Sequence, residues 1–141
     1  MADISVVATV VAPGTGAEYL YGVFGATTTA GQTAYLVTST STSPPTFGLC
    51  DANGSDEVAT LAGIFMTGGA AGQPCTVLRS GNFNPGVAVT VGELYVTTAT
   101  AGGIALADDL ATGWKTAVVG VATTTSNIVY WGKSSLVALL A

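Results

Sequence analysis

Asp51-Ala52-Asn53-Gly54-Ser55-Asp56-Glu57 gathers three carboxylates and an amide oxygen into seven residues, and these are the hard oxygen ligands that a calcium ion takes. The spacing departs from the helical calcium loop, which has glycine at its sixth position and a bidentate glutamate at its twelfth; here Gly54 is fourth from Asp51, and no glutamate follows where one is required. A solvated turn accounts for the stretch as well. Gly132-Lys133-Ser134 has the ending of a phosphate-binding loop, but Asn127 stands where its first glycine belongs. In the same way Gly14-Thr15-Gly16 lacks the third glycine of a dinucleotide fingerprint, with Tyr19 in its place.

Nucleophilic chemistry has little to draw on. Histidine is absent, which removes the commonest general base, the usual activator of serine and cysteine, and the commonest transition-metal ligand. A Ser-Lys dyad through Lys115 or Lys133, or a carboxylate pair such as Asp108 and Asp109, fits the composition, but no spacing argues for either. Cys50 and Cys75 lie 25 residues apart, compatible with a disulfide or with two buried thiols. The start, Met1-Ala2-Asp3-Ile4, carries an acid where an export signal would be basic, so a reducing compartment and free thiols are expected. No catalytic residue, metal ligand or cofactor site is assigned.

The surface itself is the more informative feature. Of 141 residues, 49% are hydrophobic and 8% charged, against about 25% charged in an ordinary soluble domain. Three cations and a net charge of −5 cannot neutralise a row of phosphates, so neither nucleic acid nor an anionic membrane is an expected partner. Thr, Ser and Gly interrupt every apolar run before it reaches the ~18 residues that cross a bilayer. Surface scaling gives roughly 6,500–7,000 Å² for a monomer of this mass, or about one charge per 600 Å². A surface this poorly charged implies cover by other copies or by a partner.

Short β-branched and aromatic runs between Gly, Pro, Asn and Asp predict a single all-β domain, barrel- or sandwich-like, with long loops and an extended N-terminal arm. Strands are expected at Ile4 to Val11, Glu18 to Phe24, Thr33 to Thr38, Phe47 to Leu49, Val58 to Met66, Cys75 to Leu78, Leu94 to Thr98, Gly103 to Leu106, Ala117 to Thr123 and Ile128 to Trp131. One helical turn is expected over Asp108 to Gly113, and an exposed Ser/Thr/Pro loop over Thr38 to Thr46. The chain divides into an arm (1–14), the β domain (15–133) and an apolar tail (134–141). Ile4, Val6, Val7, Val10 and Val11 of the arm, with Leu136 and Val137 of the tail, are candidate contacts to a neighbouring subunit or a larger assembly, through strand addition or packing. Two edge strands within one domain are the plainer account of these ends. Arg79, the only arginine, is a candidate for an intersubunit ion pair or an ordinary surface residue.

A resemblance sharpens this. Gly25-Ala26-Thr27-Thr28-Thr29-Ala30-Gly31-Gln32-Thr33-Ala34-Tyr35-Leu36 is followed in order by Ala62-Gly63-Ile64, Ala71-Gly72-Gln73-Pro74-Cys75-Thr76-Val77, Pro85-Gly86, Val89 to Val96, Thr100 to Ala105, Asp109-Leu110 and Gly120-Val121-Ala122. Taken together, this order resembles the small capsid decoration, or cement, proteins of tailed bacteriophages, over roughly Gly25 to Trp131. The Ser/Thr/Pro loop, the apolar tail and the two cysteines depart from the plainer members.

The resemblance implies a protein made in the host cytoplasm that sits on the outer surface of the capsid. It implies a homotrimer clamping major capsid protein subunits at threefold or quasi-threefold positions, without catalysis or cofactor. Two other classes share the composition: a head-fibre base or receptor- or glycan-binding adhesin using the Thr-rich loop, and a small β hydrolase, which needs a convergent pocket of titrating groups.

Overall fold

The computed structural model describes residues 3–37, 44–107, 115 and 117–134. It is an all-β domain whose ten strands form one connected sheet. These are β1 (Ala12–Pro13), β2 (Glu18–Phe24), β3 (Thr33–Leu36), β4 (Thr46–Leu49), β5 (Gly63–Phe65), β6 (Pro74–Asn84), β7 (Leu94–Thr97), β8 (Ile104–Leu106), β9 (Ala117–Ala122) and β10 (Ile128–Ser134). Among the described residues one α-helix, α1 (Asp56–Ala59), lies between β4 and β5.

The eleven-residue β6 organises the sheet. Along one edge it pairs first with β2 and then with β1, and along the other with β5 and then β10. Its N-terminal half closes a cycle of pairings, β2-β4-β3-β5-β6 and back to β2, in which only β2–β4 is parallel. Its C-terminal half begins a second array, β6-β10-β9-β7-β8.

Each half has its own core. Phe24, Ala34, Phe47, Phe65, Cys75 and Val77 form one cluster to which every strand of the cycle contributes. The rings of Phe24 and Phe65 are 5.5 Å apart and tilted by 35°, an attractive offset arrangement. The second cluster joins Ile64 and Leu78 to Phe83, Tyr95, Ile104, Val119, Ile128 and Tyr130. Because side chains alternate along a strand, Ile64 and Phe65 enter different cores, as do Leu78 and Val77. The wall that β5 and β6 share between the two cores is therefore apolar on both faces, the reason Ile64-Phe65 and Val77-Leu78 lack the hydrophobic-polar alternation of a half-solvated strand.

Five strands begin in the same manner. Gly16, Gly31, Gly72, Gly92 and Gly102 have φ between +76° and +93°, and β2, β3, β6, β7 and β8 start two residues after them. Any other L-residue is strained in that region, so glycine is what lets the chain reverse at these points.

Local departures from expectation have identifiable causes. Ile4 to Val11 is not a strand: Ala8–Val10 is a 3₁₀ turn, and pairing begins only at β1. Val58 lies in α1, where Ser55 accepts the Val58 N–H at 3.4 Å and Asp56 and Glu57 occupy the first turn, so the expected Val58 to Met66 strand shrinks to β5. Conversely β6 continues past Leu78 to Asn84 through polar residues, because it is paired on both edges there. The expected helical turn at Asp108 to Gly113 and most of the Ser/Thr/Pro loop lie outside the described residues. Among the described residues, no helix is long and apolar enough to cross a membrane.

Candidate interaction surface

The described part of the arm rests on its own domain. Ile4 packs against the second core, and its N–H donates to the Ile104 carbonyl at 2.8 Å, on the open edge of β8. Val6 and Val11 converge on Gly31, their methyl groups taking the space a Cβ would need, and the Val7 carbonyl lies against Gly86 in the same way. Ala12 and Pro13 then pair with Asn84 and Phe83, so residues 12–14 continue the edge that β2 forms on β6 instead of ending a separate arm. Asp3 accepts a hydrogen bond from the buried Thr98 hydroxyl at 3.3 Å. Only Val7 (44%) and Val10 (52%) present large apolar side chains to solvent from this segment. Leu136 and Val137 lie outside the described residues.

Arg79 is engaged within the chain. Its Nη2 donates to Glu18 Oε1 at 2.7 Å across the β2–β6 pairing, both groups largely exposed. Lys115 likewise meets Asp56 Oδ1 at 2.9 Å and the Gly54 carbonyl at 3.3 Å.

These contacts also resolve the acidic stretch. Asp51 Oδ1 accepts the Asn53 N–H at 2.9 Å, the Gly54 N–H reaches the Asp51 carbonyl at 3.0 Å, Ser55 caps α1 and Asp56 faces Lys115. The stretch is a hydrogen-bonded turn leading into α1, and among the described residues no three His, Cys, Asp or Glu side chains converge as metal ligands.

Both cysteines are free and buried, one in each core. Burial pushes the Cys50 thiol up to about 12, with the adjacent Asp51 charge adding to it. Burial raises Cys75 as well, and it raises the Tyr130 phenol, with Cys50 as a second contributor. A nucleophilic thiol needs the opposite shift.

A groove of about 540 Å³ runs past Tyr35, Val37, Thr46, Leu49, Asp51 and Val58. The Tyr35 ring crosses its strand partner Gly48, where a Cβ would come within 2.5 Å of Cε1. Asp51 and Tyr35 are the titratable side chains among its described lining residues.

Sequence reasoning missed one feature that pairing reveals. Leu94, Val121, Val129 and Asn82 are successive cross-strand partners on β7, β9, β10 and β6, and so share one face. Ile128 and Tyr130 point into the core on either side of Val129, which places the row on the outer face. All four are half-buried and none is charged, while Trp131, two residues beyond Val129, is 51% exposed. Tyr21 (66%) on β2 and Val91 (55%) before β7 are exposed elsewhere. A β-strand period in single segments hid this row, because its members come from four distant stretches of sequence.

Compared with protein-family models, with curated proteins and with solved structures, the chain finds no match in any of the three.

Proposed function

We propose that this chain is a structural virion protein that binds the outside of an assembled phage head and stabilises the capsid lattice, as a homotrimer at threefold or quasi-threefold positions. The observation that carries the reading is where the shared phrases fall. Gly31, Gly72, Gly92 and Gly102, each in one of those phrases, are the left-handed glycines that launch β3, β6, β7 and β8. The resemblance thus rests on residues that build the domain. Sparse charge and exposed Val7, Val10, Tyr21 and Trp131 support a protein that works by contact.

Such a protein acts by mass action. It binds the assembled shell better than separate capsid subunits, so occupancy shifts the equilibrium away from disassembly, and no fuel is consumed. Many clamps acting together resist opening because one joint cannot part without releasing several. Arg79 and the valines of the N-terminal segment remain the proposed contacts to the major capsid protein or to a neighbouring copy, now through the exposed Val7 and Val10 in particular.

Quantitative mass spectrometry of purified particles tests the reading. One copy per major capsid subunit is expected. A ratio below about one in twenty favours the fibre-base or adhesin reading, since lattice decoration requires a copy at every symmetric position. Absence from particles overturns both.

A further inference from the structure

We infer that the pocket between the N-terminal segment and the β7–β8 loop takes the cationic head of a lysine or arginine side chain from another protein. The inference deepens the proposed function, resting on it only for the partner's being a different protein, and gives that contact a chemistry.

The cavity has a volume of about 170 Å³, and Asp3, Ile4, Val6, Gln32, Thr100 and Ile104 are among its lining residues. A cavity of roughly 150 Å³ admits a benzene ring, so this one has room for an ammonium or guanidinium group on its last methylenes. Ile4, Val6 and Ile104 provide apolar surface for the methylenes, and Asp3 provides a charge for the head. Gln32 turns its carbonyl oxygen to the Thr29 N–H at 2.9 Å, and Asp3 is the only charged side chain in the described lining.

The Asp3 carboxylate is held in place but poorly satisfied. Its Oδ2, the Thr98 hydroxyl oxygen and the Thr100 carbonyl oxygen all converge within 3.0 Å of the point where a Cβ on Gly103 would stand. Thr98 has one hydroxyl proton for two acceptors, Asp3 Oδ2 at 3.3 Å and the Thr100 carbonyl at 3.4 Å. Both distances exceed the ~2.7–2.8 Å of a good hydroxyl bond. Among the described residues this is the one hydrogen bond that Asp3 accepts.

Charge decides the occupant. The chain has three cations, of which Arg79 is held by Glu18 and Lys115 by Asp56. Lys133 shares a cross-strand row with Val118, Val96 and Ala105, which puts its backbone three strands, or about 14 Å, from β8, while the N-terminal segment lies on the opposite edge of β8. None of the three is therefore placed to neutralise Asp3, and a net charge of −5 draws cations to a concave site of that sign. A divalent metal ion takes about six to eight oxygens, several of them charged, whereas this pocket has one carboxylate. A singly charged head with its own donors fits one carboxylate and its neighbouring oxygens.

The first test uses the free chain, without phage heads, so that its failure is distinct from failure of the decoration reading. Butylammonium chloride is titrated against the backbone amide NMR signals of Ile4, Gly103 and Ile104, with sodium chloride at matched ionic strength as the reference. Saturable shifts are expected in roughly the millimolar range for so small a ligand. Asp3→Asn, which keeps the size of the side chain and removes its charge, is expected to bind about fivefold more weakly. No shift beyond that of sodium chloride, or equal binding by Asp3→Asn, overturns the inference. Calcium chloride shifting these signals where butylammonium does not overturns it in favour of a metal site. The second test takes heads that the parent chain decorates, on which Asp3→Asn is expected to bind about fivefold more weakly with an unchanged unfolding midpoint. Equal affinity there overturns the assignment of the cation to the partner protein.

Discussion

Gly81 and Gly16 meet backbone to backbone: a Cβ on Gly81 would stand 2.5 Å from the Gly16 carbonyl carbon and 2.6 Å from the Ala17 nitrogen. Gly81 sits where β6 exchanges one set of partners for the other, one residue after Ser80 pairs with Glu18, and is itself opposite Tyr130. Its φ is +95°. The join between the two halves of the fold therefore requires glycine twice, for conformation and for approach.

Gly81→Ala is expected to lower stability by about 2–5 kcal/mol, the left-handed strain of ~1–2 kcal/mol plus the displacement of packed backbone. Gly72 has φ +87° with open space beside it, so Gly72→Ala should cost only the strain, about 1–2 kcal/mol. Urea unfolding of both variants measures the difference. Equal losses would mean that the Gly16 contact carries no weight.

The N-terminal segment makes two separable contributions. Removing residues 2–11 takes Ile4 from the core and Val6 and Val11 from Gly31, and is expected to cost about 2–5 kcal/mol, as for other large losses of buried side chains. Val7→Ser and Val10→Ser alter exposed positions and should stay within about 0.5 kcal/mol of the parent. If the segment touches the shell, these point variants lose head occupancy while their unfolding midpoints hold. Full occupancy by both would remove Val7 and Val10 from the contact.

Arg79→Ala is expected to change stability by less than about 1 kcal/mol, because its pair with Glu18 is exposed and screened by salt. Head-binding titrations of the same variant decide its other role. Unchanged affinity assigns Arg79 to the β2–β6 edge alone.

The buried thiol at Cys50 makes alkaline pH destabilising. Its folded value of about 12 lies above the 9.0 of an unperturbed thiol. Between those values the unfolded chain has lost a proton that the folded chain keeps, so the Cys50 contribution is constant below pH 9.0 and lowers stability above it, by up to about 1.4 kcal/mol per pH unit. Tyr130 acts in the same direction, as its folded value is also raised. Unfolding curves from pH 8 to 11 check the slope, and a Cys50→Ala variant should show a shallower one. In the native state both cysteines should resist a thiol reagent that reacts promptly once urea is added.

Strands β2, β3, β4, β7, β8, β9 and β10 were legible because each is a short β-branched or aromatic run set off by turn residues, and the glycines before several of them mark a backbone state that few other residues tolerate. α1 was legible in principle: Ser55-Asp56-Glu57 is a cap followed by first-turn acids, but the apolar residues from Val58 onward outweighed it in the reading. The second half of β6 was not legible, since Arg79-Ser80-Gly81-Asn82 has no strand propensity and is held extended by neighbours on both edges.

By itself, then, the sequence determined the β class, the scarcity of charge and the places where the chain turns, because these follow from residue type and nearest neighbours. Tertiary structure alone decided that β6 spans both halves, that the described N-terminal segment lies on its own domain, that Arg79 pairs with Glu18, and that Leu94, Val121 and Val129 line up. Each of those depends on which distant strands lie side by side, and pairing between strands is a choice of register that no single segment contains.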